Sequence, residues 1–300
     1  MLSSFEAITP LFLLIVVGIV LIKTKIGNLN WSNTFNKYAL NLGFPALIFH
    51  ALASTRAPLG EYSTLIVVNS GYILLCFTVA TLAFRKLENK SSFVIGIIFH
   101  NIAFLGIPII DRLIGVEAKN EAIIIAATYL FWVFTLGIIF LEKENAKETS
   151  ILALLKSLAK NPLLLAVLSG VIFNIFQIHL PTIIKAPISL IAQSVTPVIL
   201  ISIGIFFGSL SISKKDIYQP FLFTVITLII CPLGLFATSD FININMKSSI
   251  IEAAMPMALT PFTLAEAYPS LNKRFIATAI LLSTALSYIT IPLWKHLIYL

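Results

Sequence analysis

The chain has 300 residues, of which 58% are hydrophobic and only 11% are charged, and its net charge is +7 at pH 7. A soluble domain has roughly 25% charged residues, so this composition excludes a soluble protein and indicates one that lies in a membrane. The basic excess does not indicate nucleic-acid binding, because the basic residues form short clusters between apolar segments.

Apolar segments long enough to cross a bilayer, which takes about 20 residues each, follow one another along the chain. The first has no positive charge before it and is followed by Lys23 and Lys25, so it predicts a retained helix and not a signal peptide. Charged and turn-rich interruptions divide the whole chain into ten predicted helical spans. These are expected near residues 5–22, 32–54, 62–84, 92–114, 120–141, 162–179, 184–210, 218–238, 247–268 and 273–297.

The distribution of Lys and Arg over the connections predicts the orientation of the chain. Most of the 20 basic residues lie in the odd-numbered connections, so both termini are expected on the outer side of a bacterial inner (plasma) membrane. The longest connection, 142–161, predicts a cytoplasmic linker between a first repeat of five helices at 1–141 and a second at 162–300. Because five is an odd number, the two repeats would be inverted relative to each other, as in many secondary transporters.

Prolines and polar residues interrupt corresponding spans of the two halves: spans two and seven, and spans four and nine. Such paired interruptions mark the substrate site in inverted-repeat transporters. A helix that begins in mid-membrane presents unpaired N–H groups and a partial positive charge, which favour an anion. A kink made only for packing is the alternative for any single proline. The candidate substrate-binding residues are Asn41, Pro45, Asn101, Gly106, Pro108, Pro197, Pro256, Thr260 and Pro261.

The local sequence predicts how the interrupted helices begin again. Thr260 is expected to be an N-cap, with Pro261 at the first helical position. Asn101 is expected to cap the second part of span four, or to use its amide to bind a ligand.

Two ionisable residues near the interruptions are candidates for ion coupling. Glu252, one turn before Pro256, is expected on the outward side of span nine, either as a proton carrier or as an interfacial carboxylate wetted from outside. His100 either titrates or hydrogen-bonds a carboxylate, or it is a packed neutral histidine. Cys76 and Cys231 lie in different apolar runs and predict neither a disulfide nor a metal site.

The motifs of membrane enzymes are missing from the sequence. It has no HExxH and no glycine-rich phosphate loop, and no pair of carboxylates is expected in mid-membrane. These observations argue against a zinc or aspartyl protease, a nucleotide-driven pump and a cation antiporter. No enzyme, cofactor or metal is therefore expected.

Five stretches carry a resemblance to a known family. They are NLGFPALIFHAL in span two, Asn101 followed by Gly106-Ile-Pro108 in span four, KNPLLLAVLSGVIFN in span six, SVTPVILISIGIFFG in span seven and MPMALTPFTLAEAYP in span nine. In this order they resemble the auxin efflux carrier family, which includes plant auxin carriers and bacterial carriers of malate and malonate type.

The resemblance implies a scaffold domain and a transport domain, with broken helices four and nine crossing at the substrate site. Asn101 would contact a substrate carboxylate, and residues 256–261 would form the opposing half of the site. The chain departs from plant members in its short central connection and in the apolar segment from Met257 to Thr260, which argues against auxin as the substrate.

We therefore expect a carrier that moves a small organic anion, such as a dicarboxylate, by alternating access. H⁺ and Na⁺ are the candidate coupling ions, and pairing into a homodimer through the scaffold is in keeping with the resemblance. A channel-like pore, a ligand-sensing receptor without transport and a sodium-coupled organic-anion symporter are the alternatives. The last is the weakest, because no polar cluster suitable for sodium is evident in the sequence near spans four and nine.

Overall fold

The computed structural model describes residues 2–54, 59–145, 160, 162–210, 217–242, 246–265 and 267–299. Within these ranges the secondary structure is helical and contains no β-strand. Most of the linker predicted at 142–161 lies outside the described residues. The helices are α1 (Leu2–Lys23), α2 (Leu29–Tyr38), α3 (Phe44–Ser54), α4 (Ser63–Ala83), α5 (Lys90–Ile98), α6 (Ile107–Leu113), α7 (Val116–Glu144), α8 (Pro162–Ile175), α9 (Thr182–Ser209), α10 (Tyr218–Val225), α11 (Cys231–Ile242), α12 (Lys247–Ala253), α13 (Thr260–Leu264) and α14 (Lys273–Leu297).

Six helical segments of the described chain are long and apolar enough to cross a bilayer: α1, α4, α7, α9, α14 and the segment Tyr218–Ser239. Large apolar side chains on several of them point away from the protein, among them Leu13, Val67, Leu75 and Phe131. Apolar surface on this scale is compatible with lipid and not with water. The prediction of an all-helical membrane protein is therefore confirmed.

The other four predicted spans are short or interrupted. Span six is the 14-residue helix α8. Span two consists of α2 and α3, joined by the π-helical turn Ala39–Gly43. Spans four and nine each consist of two helices separated by non-helical chain, so the interruptions expected in these two spans are present. The arrangement of ten helices as two inverted repeats stays a prediction.

Three π-helical turns each end two residues before a proline. They are Ala39–Gly43 before Pro45, Ile102–Gly106 before Pro108 and Ile226–Ile230 before Pro232. In each case the residue just before the proline donates its N–H to the carbonyl five residues back. Proline has no N–H and collides with the carbonyl four residues back, and the wider π turn accommodates both defects.

Two of the interruptions predicted from prolines are therefore wrong. Around Asn41 and Pro45 the chain widens into a π turn but does not leave the helical path. Pro197 lies inside α9, which runs without interruption from Thr182 to Ser209. A proline removes only one backbone hydrogen bond, and packing of α9 against its neighbours holds the helix together at that point.

The helices pack in two groups, each of which includes helices from both halves of the chain. The first group contains α1, α2, α3, α8 and α9, and the second contains the remaining helices. Within the first group α1 and α9 touch backbone to backbone, since a Cβ at Gly18 would overlap the carbonyl of Ile201 and one at Gly204 would overlap that of Ile15. Close contacts through small residues are typical of helix pairs in membranes.

Candidate functional site

The non-helical segments of spans four and nine pair with each other in the second group. The N–H of Asn101 donates to the carbonyl of Pro256, and the N–H of Ala258 donates to that of Phe99, each over 2.7 Å. His100 and Met257 lie opposite each other as an isolated antiparallel pair. Backbone polar groups without water must find partners within the protein, and these two segments provide them for each other. We refer to residues 99–101 and 254–259 together as the crossover.

The helix that begins at Ile102 and continues through α6 directs its N-terminus at the crossover. Asn101 is its N-cap residue, and its main-chain carbonyl accepts hydrogen bonds from the N–H groups of Leu105 and Gly106. Its side chain makes no capping hydrogen bond, so the expectation of a side-chain cap is wrong. Instead the amide is buried, and its Oδ1 atom has no hydrogen-bond partner.

The second half of span nine, α13, begins one residue earlier than predicted. Leu259 is the N-cap of α13, Thr260 is its first helical residue and Pro261 its second. The expected role of Thr260 as N-cap is therefore wrong, although Pro261 still lies in the first turn, where its missing N–H is harmless. Because α13 has only five residues, its end adds little to the positive potential of the site.

A small cavity of about 40 Å³ lies beside the crossover, where the two helix groups meet. A water molecule occupies roughly 10–15 Å³ on the same measure, so the cavity has space for a few waters and not for a dicarboxylate. Asn101, His100 and Thr260 supply its polar lining, and the rest of the wall is apolar. Ile102 and Ala103, the first residues of the helix after Asn101, also line it.

A much larger cleft of about 780 Å³ lies between α3 and α9 of the first group and α6 and α7 of the second. Its polar lining includes His50, Gln193 and Thr196, and an ion pair in which Lys119 Nζ lies 2.6 Å from Asp111 Oδ2. Pro108 forms part of its apolar wall.

A stacked pair of phenylalanines lines the cavity. The rings of Phe44 and Phe104 are 4.0 Å apart between centroids and nearly parallel, at 18°. Both rings line the cavity, whereas Leu47 and Pro108, about one turn further along the same two helices, line the cleft. The pair joins α3 of the first group to the second group.

Glu252 is fully buried, and neither of its carboxyl oxygens has a hydrogen-bond partner. The carboxyl group lies directly against Gly106, since a Cβ at this position would overlap Oε2. The interpretation of Glu252 as a wetted interfacial carboxylate is therefore wrong. His100 is also buried, both of its ring nitrogens lack partners, and the main-chain carbonyl of Glu252 lies close to its ring.

The structure brings together only some of the predicted site residues. His100, Asn101, Gly106, Glu252 and Pro256 lie at or against the crossover. Thr260 lines the cavity and Pro108 lines the cleft.

The remaining predicted residues lie apart from both spaces. Asn41 is exposed, and its Nδ2 donates to the carbonyl of Lys37. Pro45 and Pro197 are half-buried within helices of the first group, and Pro261 is buried in α13. None of these four residues lines the cavity or the cleft.

Several residues of the site were not predicted from the sequence. The Phe44–Phe104 pair, the Lys119–Asp111 pair and Tyr129 near Glu252 depend on contacts between distant segments. In the sequence, Tyr129 could have been singled out because it is the one tyrosine in the apolar run IIIAATYLFWV. Cys76 and Cys231 lie close together, although their separate runs did not indicate it.

The chain resembles several proteins over nearly its whole length. It is 26% identical to an uncharacterized transporter of Methanothermobacter thermautotrophicus, with 98% of each chain covered. It is 24% identical to an uncharacterized transporter of Methanocaldococcus jannaschii, with 86% of this chain and 87% of the relative covered. It is 23% identical to the uncharacterized transporter YfdV of Escherichia coli, with 88% of each covered.

Residues 3–295 match the family described as "Membrane transport protein". This match extends over both halves of the chain and includes the crossover, the cavity and the cleft. Members of the family are membrane transporters and not enzymes. The chain therefore belongs to the membrane transport protein family, the family of the auxin efflux carriers, and is an integral multi-pass transporter in a lipid bilayer.

Proposed function

We propose that this transporter moves a small organic anion, such as a dicarboxylate, by alternating access, with the substrate bound at the crossover. The observation that carries the proposal is the buried amide of Asn101, which keeps one atom without a partner beside a cavity at the meeting point of the helix groups. Buried polar groups are normally satisfied, so an exception at such a place suggests a ligand.

The chemistry next to Asn101 supports an anion. The helix that starts at Ile102 presents its first N–H groups and its partial positive charge toward the cavity. The Asn101 amide can donate to one carboxylate oxygen, while its own oxygen accepts from a hydroxyl or a protonated carboxyl of the same substrate. Thr260 adds a hydroxyl to the lining of the cavity.

The difference in size between cleft and cavity supports alternating access. The cleft is wide enough for a small organic acid to enter, but the cavity at the crossover is too small to hold one. Binding therefore requires the two helix groups to move apart around the crossover. An open pore would need a continuous passage, and the cleft and the cavity are separate spaces in the described part of the chain, so a carrier is favoured over a channel.

The orientation and assembly in this proposal follow from the sequence. With both termini outside a bacterial inner membrane, the cleft opens toward the outer side, because its lining residues lie near the ends of α3, α6 and α7 that the charge distribution places outside. The first helix group has the place of a scaffold and could pair in a homodimer. His100 and Glu252 are the proposed coupling residues.

The test is transport of labelled malate, malonate and succinate in proteoliposomes that contain the purified protein. We expect saturable uptake with counterflow, and at least a tenfold lower rate for Asn101→Ala. Asn33→Ala is the matched control, because Asn33 is exposed on α2 and lines neither the cavity nor the cleft. Its transport rate should equal that of the wild type.

Each rival function gives a different result in the same experiment. Flux that does not saturate and shows no counterflow would identify a pore. Tight binding without flux would identify a receptor. Equal transport by the wild type and Asn101→Ala would remove Asn101 from the site, and uptake that requires sodium at every pH would favour a sodium symporter.

A further inference from the structure

We propose that Glu252 is the proton-binding residue of this transporter, and that it holds a proton while its carboxyl group is closed against Gly106. The coupling of this proton to an organic anion rests on the proposed function. The binding of the proton itself does not, because it follows from the surroundings of the carboxyl group.

The first observation is the isolation of the carboxyl group. Glu252 has no exposed surface, and both of its oxygens lack hydrogen-bond partners. Water and protein donors normally stabilise a carboxylate, and a buried carboxylate without them is strongly unfavourable. A neutral acid in the same place needs no counter-charge, so the environment selects the protonated form.

The second observation is the lack of a positive partner. Glu252 and His100 are the only buried residues of the Asp, Glu, Lys, Arg and His types within the described chain. The main-chain carbonyl of Glu252 lies close to the His100 ring, but neither ring nitrogen makes a hydrogen bond, so the two side chains do not form an ion pair in this conformation.

The other helices around Glu252 do not supply a positive partner either. The titratable group nearest to it on α7 is Tyr129, whose hydroxyl has no partner. Tyr72 and Cys76 of α4 and Cys231 of α11 lie close to Tyr129. A tyrosine or cysteine side chain never carries a positive charge, so none of these groups can offset the charge of a carboxylate. The basic residues of α14, which also packs against α12, lie in its first and last turns and are not buried.

Contact with Gly106 connects the proton to the substrate site. Gly106 is the last residue of the π turn whose N-cap is Asn101, and its N–H donates to the carbonyl of Asn101. A deprotonated Glu252 needs water or a cation around its oxygens, and these can enter only if the carboxyl group separates from Gly106. Movement of Glu252 therefore requires movement of the segment that carries Asn101.

The proton exchange is simple in chemical terms. The O–H bond of the Glu252 carboxylic acid breaks, the proton passes to water and a carboxylate remains, and uptake is the reverse of this step. No bond to the substrate forms. If one proton crosses with each substrate molecule, transport of an organic anion is coupled to the proton gradient.

Infrared difference spectroscopy of the purified protein tests the protonation directly, without substrate. We expect the carbonyl stretching band of a neutral carboxylic acid in an apolar environment to be present at neutral pH. It should be lost in Glu252→Gln and retained in Glu121→Gln, whose parent side chain lies on α7 and accepts a hydrogen bond from Ser248. A spectrum unchanged by Glu252→Gln would show that Glu252 is ionised and would overturn the proposal.

Transport measurements then test the coupling. The glutamine variant imitates the protonated acid but cannot exchange its proton, so we expect Glu252→Gln to lose the response of transport to an imposed pH gradient, whereas Glu121→Gln should keep it. Glu252→Asp should restore part of this response. A pH-gradient response that persists in the glutamine variant would exclude Glu252 as the coupling residue.

The two proposals fail in distinguishable ways. If the liposomes transport no organic acid, the proposed function fails, while the infrared band still decides whether Glu252 binds a proton. Sodium alone is a further probe. If NaCl, compared with KCl, raises the thermal stability of the wild type but not of Glu252→Gln, the bound cation is sodium and the proton proposal is wrong.

Discussion

Main chains from distant parts of the sequence meet at two places, the contact between α1 and α9 and the crossover. The two places differ in whether the polar groups there have hydrogen-bond partners. Near the first contact, Ser32 and Ser202 form mutual hydrogen bonds, with 2.9 Å between their hydroxyl oxygens. At the second, Asn101, His100 and Glu252 are buried with unpartnered atoms. Near the α1–α9 contact, the fold itself supplies hydrogen-bond partners for the polar groups. At the crossover, some buried polar atoms need a partner that the fold does not supply.

The two contacts are therefore expected to differ in stability. Each buried polar group without a partner costs on the order of 1–3 kcal/mol, so the crossover is less stable than an apolar contact of the same size. Strain and unsatisfied groups of this kind are typical of sites that bind ligands or move. We therefore expect substitutions at α1 and α9 to change stability, and substitutions at the crossover to change transport and proton binding.

The largest expected effect is that of Gly204→Ala. A Cβ at this position would lie 2.8 Å from the Cα of Gly18 and would overlap the Ile15 carbonyl, and main-chain atoms of two packed helices cannot move aside easily. We expect a loss of about 3 kcal/mol, measured as a lower unfolding temperature in detergent. Gly71→Ala is the matched control, because no atom lies within 4 Å of its added Cβ. Equal stability of both variants would show that α1 and α9 are not in close contact.

Gly106→Ala should have a smaller effect, of about 1–2 kcal/mol, because the obstacle is the end of the Glu252 side chain and not a backbone. Shortening this side chain removes the obstacle. Glu252→Ala should therefore recover most of the loss when the two changes are combined, in a double-mutant cycle of unfolding temperatures. Strictly additive losses would contradict the contact between Gly106 and Glu252.

Phe44→Leu should widen the cavity and make it easier to reach from the cleft, without unfolding the protein. A leucine fills less of the space in front of Phe104, whose ring is stacked on Phe44. We expect a cysteine introduced at Ala103, in a background without Cys76 and Cys231, to react several-fold faster with a water-soluble thiol reagent. Phe49→Leu is the control, because Phe49 contacts Phe173 instead. An unchanged rate would show that the stack does not limit access to the cavity.

The smallest effect is expected for Lys119→Gln in the cleft. Its ion pair with Asp111 is partly exposed, and such pairs contribute about 0–1 kcal/mol, so stability should change little. The lost positive charge should weaken the attraction of an anion, which raises KM about twofold at low ionic strength. At high ionic strength the difference should vanish because salt screens the charge. A KM equal to that of the wild type in both conditions would argue against entry through the cleft.

Much of the crossover could be predicted from local sequence. A proline or a polar residue in an apolar span weakens the helix at that point whatever surrounds it, so the interruptions near Asn101 and Pro256 were predictable. The same reasoning failed at Pro45 and Pro197. At Pro45 the helix widened into a π turn, and at Pro197 it continued because the neighbouring helices support it. Whether a proline interrupts, widens or only strains a helix depends on packing.

The sequence by itself determined that the chain is an all-helical membrane protein, because apolar segments of this length have no other stable place than a bilayer. It also predicted the interruptions of spans four and nine, together with two more, at Pro45 and Pro197, that the structure does not show. Only the tertiary structure decided that Glu252 is buried away from water and lies against Gly106. The same holds for the lack of a hydrogen-bond partner at the His100 ring and for the position of Asn101 beside a cavity. Burial and hydrogen bonding depend on which distant segments meet, and residues 101 and 256 are brought together by the fold and not by their distance along the chain.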